Sequence, residues 1–140
     1  MKRNIIGALM TLIVASSMAV PVVQAQQTIL TATVPFAFNI GDKPLPAGAY
    51  AVRELNRATL IQSRDGENSV LGIYAYAGPS KTDETKLVFD KVGDHYFLAQ
   101  IWTSARGQGL ELPESKVEKE LRASNSGSQG GVETVIVALR

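Results

Sequence analysis

Turn-forming residues cut this chain into short runs, and within each run the apolar residues alternate. That punctuation constrains the fold more than any other feature. A period of two sends side chains of one parity to one face of a strand. Val34-Pro-Phe-Ala-Phe-Asn-Ile40 places Phe36, Phe38 and Ile40 at one parity. Pro35 has no N–H to give a ladder, which fits a sheet edge or a bulge. Residues 41–48 (GDKPLPAG) are dense in turn formers, with Pro46 presetting φ and Gly48 suited to the turn's end. Residues 49–55 (AYAVREL) then read as a strand with Tyr50 and Val52 on one face. Residues 58–63 and 69–77 flank Arg64-Asp-Gly-Glu-Asn68, an Asp-Gly hairpin signal, and residues 85–92 and 95–103 flank a second turn at Gly93-Asp94. The run 95–103 (HYFLAQIWT) is apolar at both parities, with Tyr96, Leu98 and Trp102 on one face and Phe97 and Ile101 on the other. A strand apolar on both faces belongs in the middle of a sheet. Residues 132–139 (VETVIVAL) close the chain as a β-branched strand. The pattern predicts an all-β fold: an antiparallel β-sandwich or small β-barrel of about seven strands.

One stretch departs from this period. Residues 113–123 (PESKVEKELRA) read as a single helix near the C-terminus. Pro113 suits a first turn, and Ser115 with Glu118 has capping-box spacing. Val117 and Leu121 lie four apart, giving one thin apolar stripe and hence a surface helix. Residues 104–109 (SARGQG) read as a loop, and residues 125–131 (NSGSQGG) as a flexible linker.

The first 25 residues have a different character. Lys2 and Arg3 precede an uncharged, mostly apolar run at 5–20, Pro21 breaks it, and Val23-Gln24-Ala25 carries small residues at peptidase spacing. These three zones are those of a Sec-type secretory signal peptide cleaved after Ala25. The expected organisation is therefore a signal peptide at 1–25 and one β-rich domain at 26–140, periplasmic or secreted, with no stable membrane insertion after cleavage. Loss of Lys2 and Arg3 leaves 12 basic residues against 13 acidic ones, so the formal charge of +1 belongs to the leader. A balance this even excludes a nucleic-acid binder that works by a basic field. With no cysteine anywhere, neither a disulfide nor a thiolate metal site can form, and the core must hold by burial alone.

Few residues present themselves as chemistry. His95 is the one histidine, and Asp94 and Asp90 lie close to it in sequence. Alternation sends neighbours to opposite faces, and a zinc site wants three or four ligands, so His95 reads as structural. No G-x-S-x-G elbow accompanies it. Asp42, Asp65, Asp83 and Asp90 sit in or beside turns, where a carboxylate caps backbone amides. Gly107-x-Gly109 beside Arg106 lacks the Lys-Ser/Thr ending of a phosphate loop. No catalytic, metal or cofactor-binding residue is expected, and no cofactor. Tyr74, Tyr76, Tyr96 and Trp102 remain as candidates to line a ligand pocket, although aromatic residues in strands more often pack in the core.

The string Leu45-Pro-Ala-Gly-Ala-Tyr-Ala-Val52 resembles a corner common in Ig-like and prealbumin-like β-sandwiches, in which the aromatic residue plugs the core. More widely, residues 34–43 leading to Leu45-Pro-Ala-Gly-Ala-Tyr50, then Lys86-Leu-Val-Phe89, Gly93-Asp-His-Tyr-Phe-Leu98, Gln100-Ile-Trp102 and Glu111-Leu-Pro-Glu-Ser-Lys116, resemble a family of small exported proteins of soil acidobacteria. That resemblance implies export and a compact β-rich fold with a late helix, and it assigns no activity. The expectation is a non-enzymatic module of the cell envelope that binds a protein partner. A periplasmic carrier of a small apolar ligand is the alternative, and a hydrolytic enzyme with an unrecognised site stands third.

Overall fold

The computed structural model describes residues 29–55, 58–79, 84–104, 107–127 and 131–140. The expected signal peptide, Asp83 and Arg106 lie outside the described residues. In chain order the elements are β1 (Ile29–Val34), β2 (Phe38–Ile40), β3 (Lys43–Leu45), β4 (Gly48–Leu55), β5 (Ala58–Ser63), β6 (Ser69–Gly72), β7 (Ala75–Pro79), β8 (Lys86–Val92), β9 (His95–Thr103), β10 (Gln108–Glu111), α1 (Lys116–Asn125) and β11 (Glu133–Ala138). The first sheet is antiparallel, in the order β1-β4-β5-β6. The second runs β11-β8-β9-β10-β7, with the β2–β3 hairpin joined to β9 through one parallel bridge, Asn39 to Phe97. The two sheets face each other as a sandwich and do not close into a barrel. At one side the edges meet in a single pair, where Thr31 and Arg140 exchange backbone bonds of 2.7 and 2.9 Å.

Alternation builds the core as expected. Ala32, Val34, Tyr50, Val52 and Ile61 point inward from the first sheet, and Phe38, Ile40, Leu87, Phe89, Leu98 and Ile101 from the second. Phe38 lies edge-on between Tyr50 and Phe89, with ring centroids 5.1 and 5.2 Å away, a favoured aromatic geometry. Tyr50 plugs the interior and turns its hydroxyl to the Pro46 carbonyl at 2.5 Å, so its one polar atom is satisfied. Burial, and secondarily the charge of Asp65, raises its pKa.

The turns follow their sequences. Ser63 N–H bonds the Asn68 carbonyl across the β5–β6 turn, and Asp65 caps the Glu67 amide. The hydrogen bond from the Ser63 hydroxyl, and then the one from the Glu67 amide, hold the Asp65 carboxylate below its usual pKa. Gly41-Asp42 and Gly93-Asp94 each form two-residue hairpin loops whose glycines have φ of 58° and 61°. Positive φ at the first loop position matches the twist of the flanking strands and favours glycine there.

Among the described residues there are eleven strands rather than about seven, because turn-rich strings hold short strands. Residues 43–45 pair with β2 despite Pro44, and residues 108–111, partly read as loop, bridge β9 and β7. Residues 69–77, expected as one strand, make two. The chain leaves the first sheet at Gly72 and enters the second at Ala75, and the Tyr74 ring folds back over Gly72 so closely that a Cβ there would collide with it.

The faces of β9 also differ from a simple alternation. Phe89 pairs with Leu98 but Val88 with Gln100, so Ala99 is an extra residue, a β-bulge. A bulge reverses parity beyond it. Tyr96 and Leu98 therefore share the core face with Ile101, whereas Phe97, Gln100 and Trp102 face the other way.

Candidate functional site

Two surfaces stand out once the core is accounted for. The first lies on the outer face of the second sheet, beneath α1. Ser115 caps the helix, its hydroxyl accepting from Glu118 N–H at 3.1 Å. The Glu118 side chain does not complete the capping box; it turns to Arg122, whose Nη2 lies 2.7 Å from its Oε1. The same guanidinium reaches Asp90 of β8 at 2.7 Å and Glu114 at 3.4 Å. Glu118, through its hydrogen bond, is the largest cause of the raised Arg122 pKa. Between helix and sheet lies a cleft of about 240 Å³, with Val88, Ala99 and Leu112 among its lining and Asp90, Glu111 and Glu118 supplying charge.

The helix docks through the face that carries Glu118, Leu121 and Arg122. Glu118 is 5% exposed and is the buried residue of α1, whereas Val117 is 45% exposed. The expected stripe of Val117 and Leu121 is thus split: Val117 faces solvent, whereas Leu121 is half-buried on the same face as Glu118 and Arg122. Capping fixes where the helix starts and leaves its rotation to partners elsewhere in the chain.

The second surface is a corner where, among the described residues, an edge strand of each sheet lies. β6 ends the first sheet and β7 the second. Leu71, Ile73 and Tyr76, within six residues of chain, are 61%, 78% and 57% exposed. Residues of an antiparallel edge alternate between inward and outward backbone groups. Because Asn68 bonds inward to Ser63, Ser69 and Leu71 direct theirs outward. Lys43 Nζ takes the Ser69 carbonyl at 2.7 Å.

The four aromatic candidates do not converge. Tyr96 faces the core and stacks on Phe36 with ring centroids 3.9 Å apart. Trp102 lies on the opposite face of the same sheet, its Nε1 donating to Gln100 at 3.0 Å. A Cβ on Gly109 would come within 2.8 Å of the Trp102 ring, so glycine is what lets the indole lie flat on β10. Tyr74 packs partly against the core with its hydroxyl buried and without a hydrogen-bond partner, and burial raises its pKa. Tyr76 stands at the exposed corner. The bulge in β9 is what separates Tyr96 from Trp102. His95 is exposed at the exit of its hairpin, and Asp42 and Asp65 occupy turns. Among the described residues, no group of three or more His, Asp or Glu is placed to hold a metal ion, and no helix is long and apolar enough to cross a membrane.

The exposed corner escaped sequence reasoning because Leu71, Ile73 and Tyr76 sit in a run that alternates like any buried strand. The signal available was Gly72, a break inside that run. No family model, curated protein or solved structure matches this chain.

Proposed function

We propose that this protein is an exported, non-enzymatic binding module of the cell envelope, and that it takes an extended apolar segment of a partner protein along β6. The observation that carries this reading is the corner itself: three large apolar side chains exposed beside a strand edge whose Leu71 backbone groups point outward. Exposed apolar patches and free strand edges are the features by which small β domains recruit partners. The aromatic core filling supports a binding surface on the outside rather than a carrier's interior cavity. The zones of residues 1–25 and the acidobacterial resemblance support export.

Site-specific photo-crosslinking in intact cells tests the reading. A photoreactive residue at Leu71 is expected to yield a discrete protein adduct that Ile73→Asp abolishes, and one at exposed His95 is expected to yield none. Adducts to lipid only, or the same adducts from both positions, would contradict it.

A further inference from the structure

We infer that the outer face of the first sheet receives the carboxylates of an acidic, apolar segment of a partner protein, through Arg53 and Arg64. This rests on the binding-module reading and adds the chemistry of the partner. Cross-strand register lays the face out row by row. Ile29 pairs with Arg53, Arg53 with Leu60 and Leu60 with Leu71, so one row crosses all four strands. These residues have the parity opposite to Ala32, Val52 and Ile61, and so lie on the side away from the core. Here α1 is not the cover, since it pairs with Asp90 on the second sheet. Ile29 and Leu71 are exposed, and Arg53 and Leu60 half-buried. Through Leu71 the row is continuous with the exposed corner at β6.

The cations of this face are unmatched. The outward positions of β1, β4, β5 and β6 hold no Asp or Glu. Among the described residues the Arg53 side chain has no hydrogen bond or ion pair, and its Nε is buried without a partner. A guanidinium that has lost part of its hydration and found no acceptor costs free energy. A carboxylate brought to it can bond two N–H groups at once, in a setting less screened than open water. Arg64 supplies the second cation. Its backbone N–H bonds the Ala49 carbonyl at 2.9 Å, so it stands four residues along the sheet from Arg53, about 13 Å. Its side chain lines a hollow of about 100 Å³ with Thr31 and Thr33. Two separated guanidiniums beside Leu60 and Leu71 fit carboxylates set among apolar side chains. A dense polyanion, whether nucleic acid or anionic membrane, calls for a broad basic field. Residues 26–140 carry 12 basic residues against 13 acidic ones, which gives no such field.

Photo-crosslinking in intact cells from Gln62, which pairs with Ala51 in the row between the two arginines, tests this. The expected product is a protein adduct whose cross-linked segment, read by mass spectrometry, carries Asp or Glu among apolar residues. Arg53→Gln and Arg64→Gln should each lower its yield about tenfold, through loss of a charge-assisted contact. A synthetic copy of that segment should bind the purified wild-type protein about tenfold more tightly than the same peptide with glutamine or asparagine at each acid, a difference that shrinks in about 1 M NaCl. The peptide comparison needs no variant to fold. No adduct, adducts to lipid only, a segment without acids, or equal affinity of the two peptides would overturn the inference. An adduct at Leu71 that Ile73→Asp abolishes, with none at Gln62, keeps β6 as the docking edge and removes the acidic site. An arginine-dependent adduct at Gln62, with none at Leu71, keeps the acidic site and removes the edge.

Discussion

The two layer contacts of this molecule are built on opposite principles. Between the sheets, Phe38, Tyr50, Phe89 and their aliphatic neighbours interlock with no formal charge in the cluster. Between the second sheet and α1, a buried glutamate and an arginine share the inward face with the half-buried Leu121, and a cleft remains. The first contact gains from every methylene removed from water, whatever the pH. The charged part of the second gains only while its charges are matched, since a desolvated ion without its partner costs more than the pair returns.

The sharpest way to break this contrast is to damage the dry contact. Phe89, which is 0% exposed, touches Phe36 and Phe38 edge-on. Phe89→Ala is expected to cost about 3–5 kcal/mol of global stability in urea titrations, and a cost below about 1 kcal/mol would mean the core is not packed as described. Gly109→Val comes next. Its side chain must displace the Trp102 ring, at an expected cost of about 1–3 kcal/mol, with a shift in the emission of the single tryptophan. Asp90→Asn leaves Arg122 with weaker company. It is expected to lower the local stability of α1 by about 1–2 kcal/mol, between the values of exposed and buried pairs, read as faster helix exchange with the β4 amides unchanged. The smallest effect belongs to Val117→Ala, within about 0.5 kcal/mol of zero, because that side chain faces water. A loss above about 1.5 kcal/mol in thermal or urea unfolding would restore the apolar stripe that the sequence suggests.

Much of the sandwich is legible in the sequence, and for local reasons. Asp65-Gly66 and Gly93-Asp94 name their hairpins, Tyr50 and Val52 share a parity and a core, and Ser115 starts the helix where capping chemistry requires. What escapes is set by distant residues. The extra Ala99 in β9 depends on how β8 pairs with it, and it alone moves Trp102 away from Tyr96. Gly72 divides a run that alternates like one strand, and so hides the exposed corner. Helical periodicity puts Val117 and Leu121 on one stripe, yet only Leu121 turns inward, beside Glu118 and an Arg122 that pairs with Asp90, far off in sequence on β8. The four aromatic pocket candidates are the most exposed to such non-local effects, because strand parity survives only until the first bulge.

A double-mutant cycle on Asp90 and Arg122, using Asp90→Asn, Arg122→Met and the pair, measures the charged contact most directly. Helix opening free energies by native-state exchange at pH 7 should show a coupling of about 1 kcal/mol or more in low salt, falling towards zero in about 1 M NaCl as screening sets in. A coupling near zero at low salt, or one that salt leaves unchanged, would show that the helix is held by packing and contradict the account.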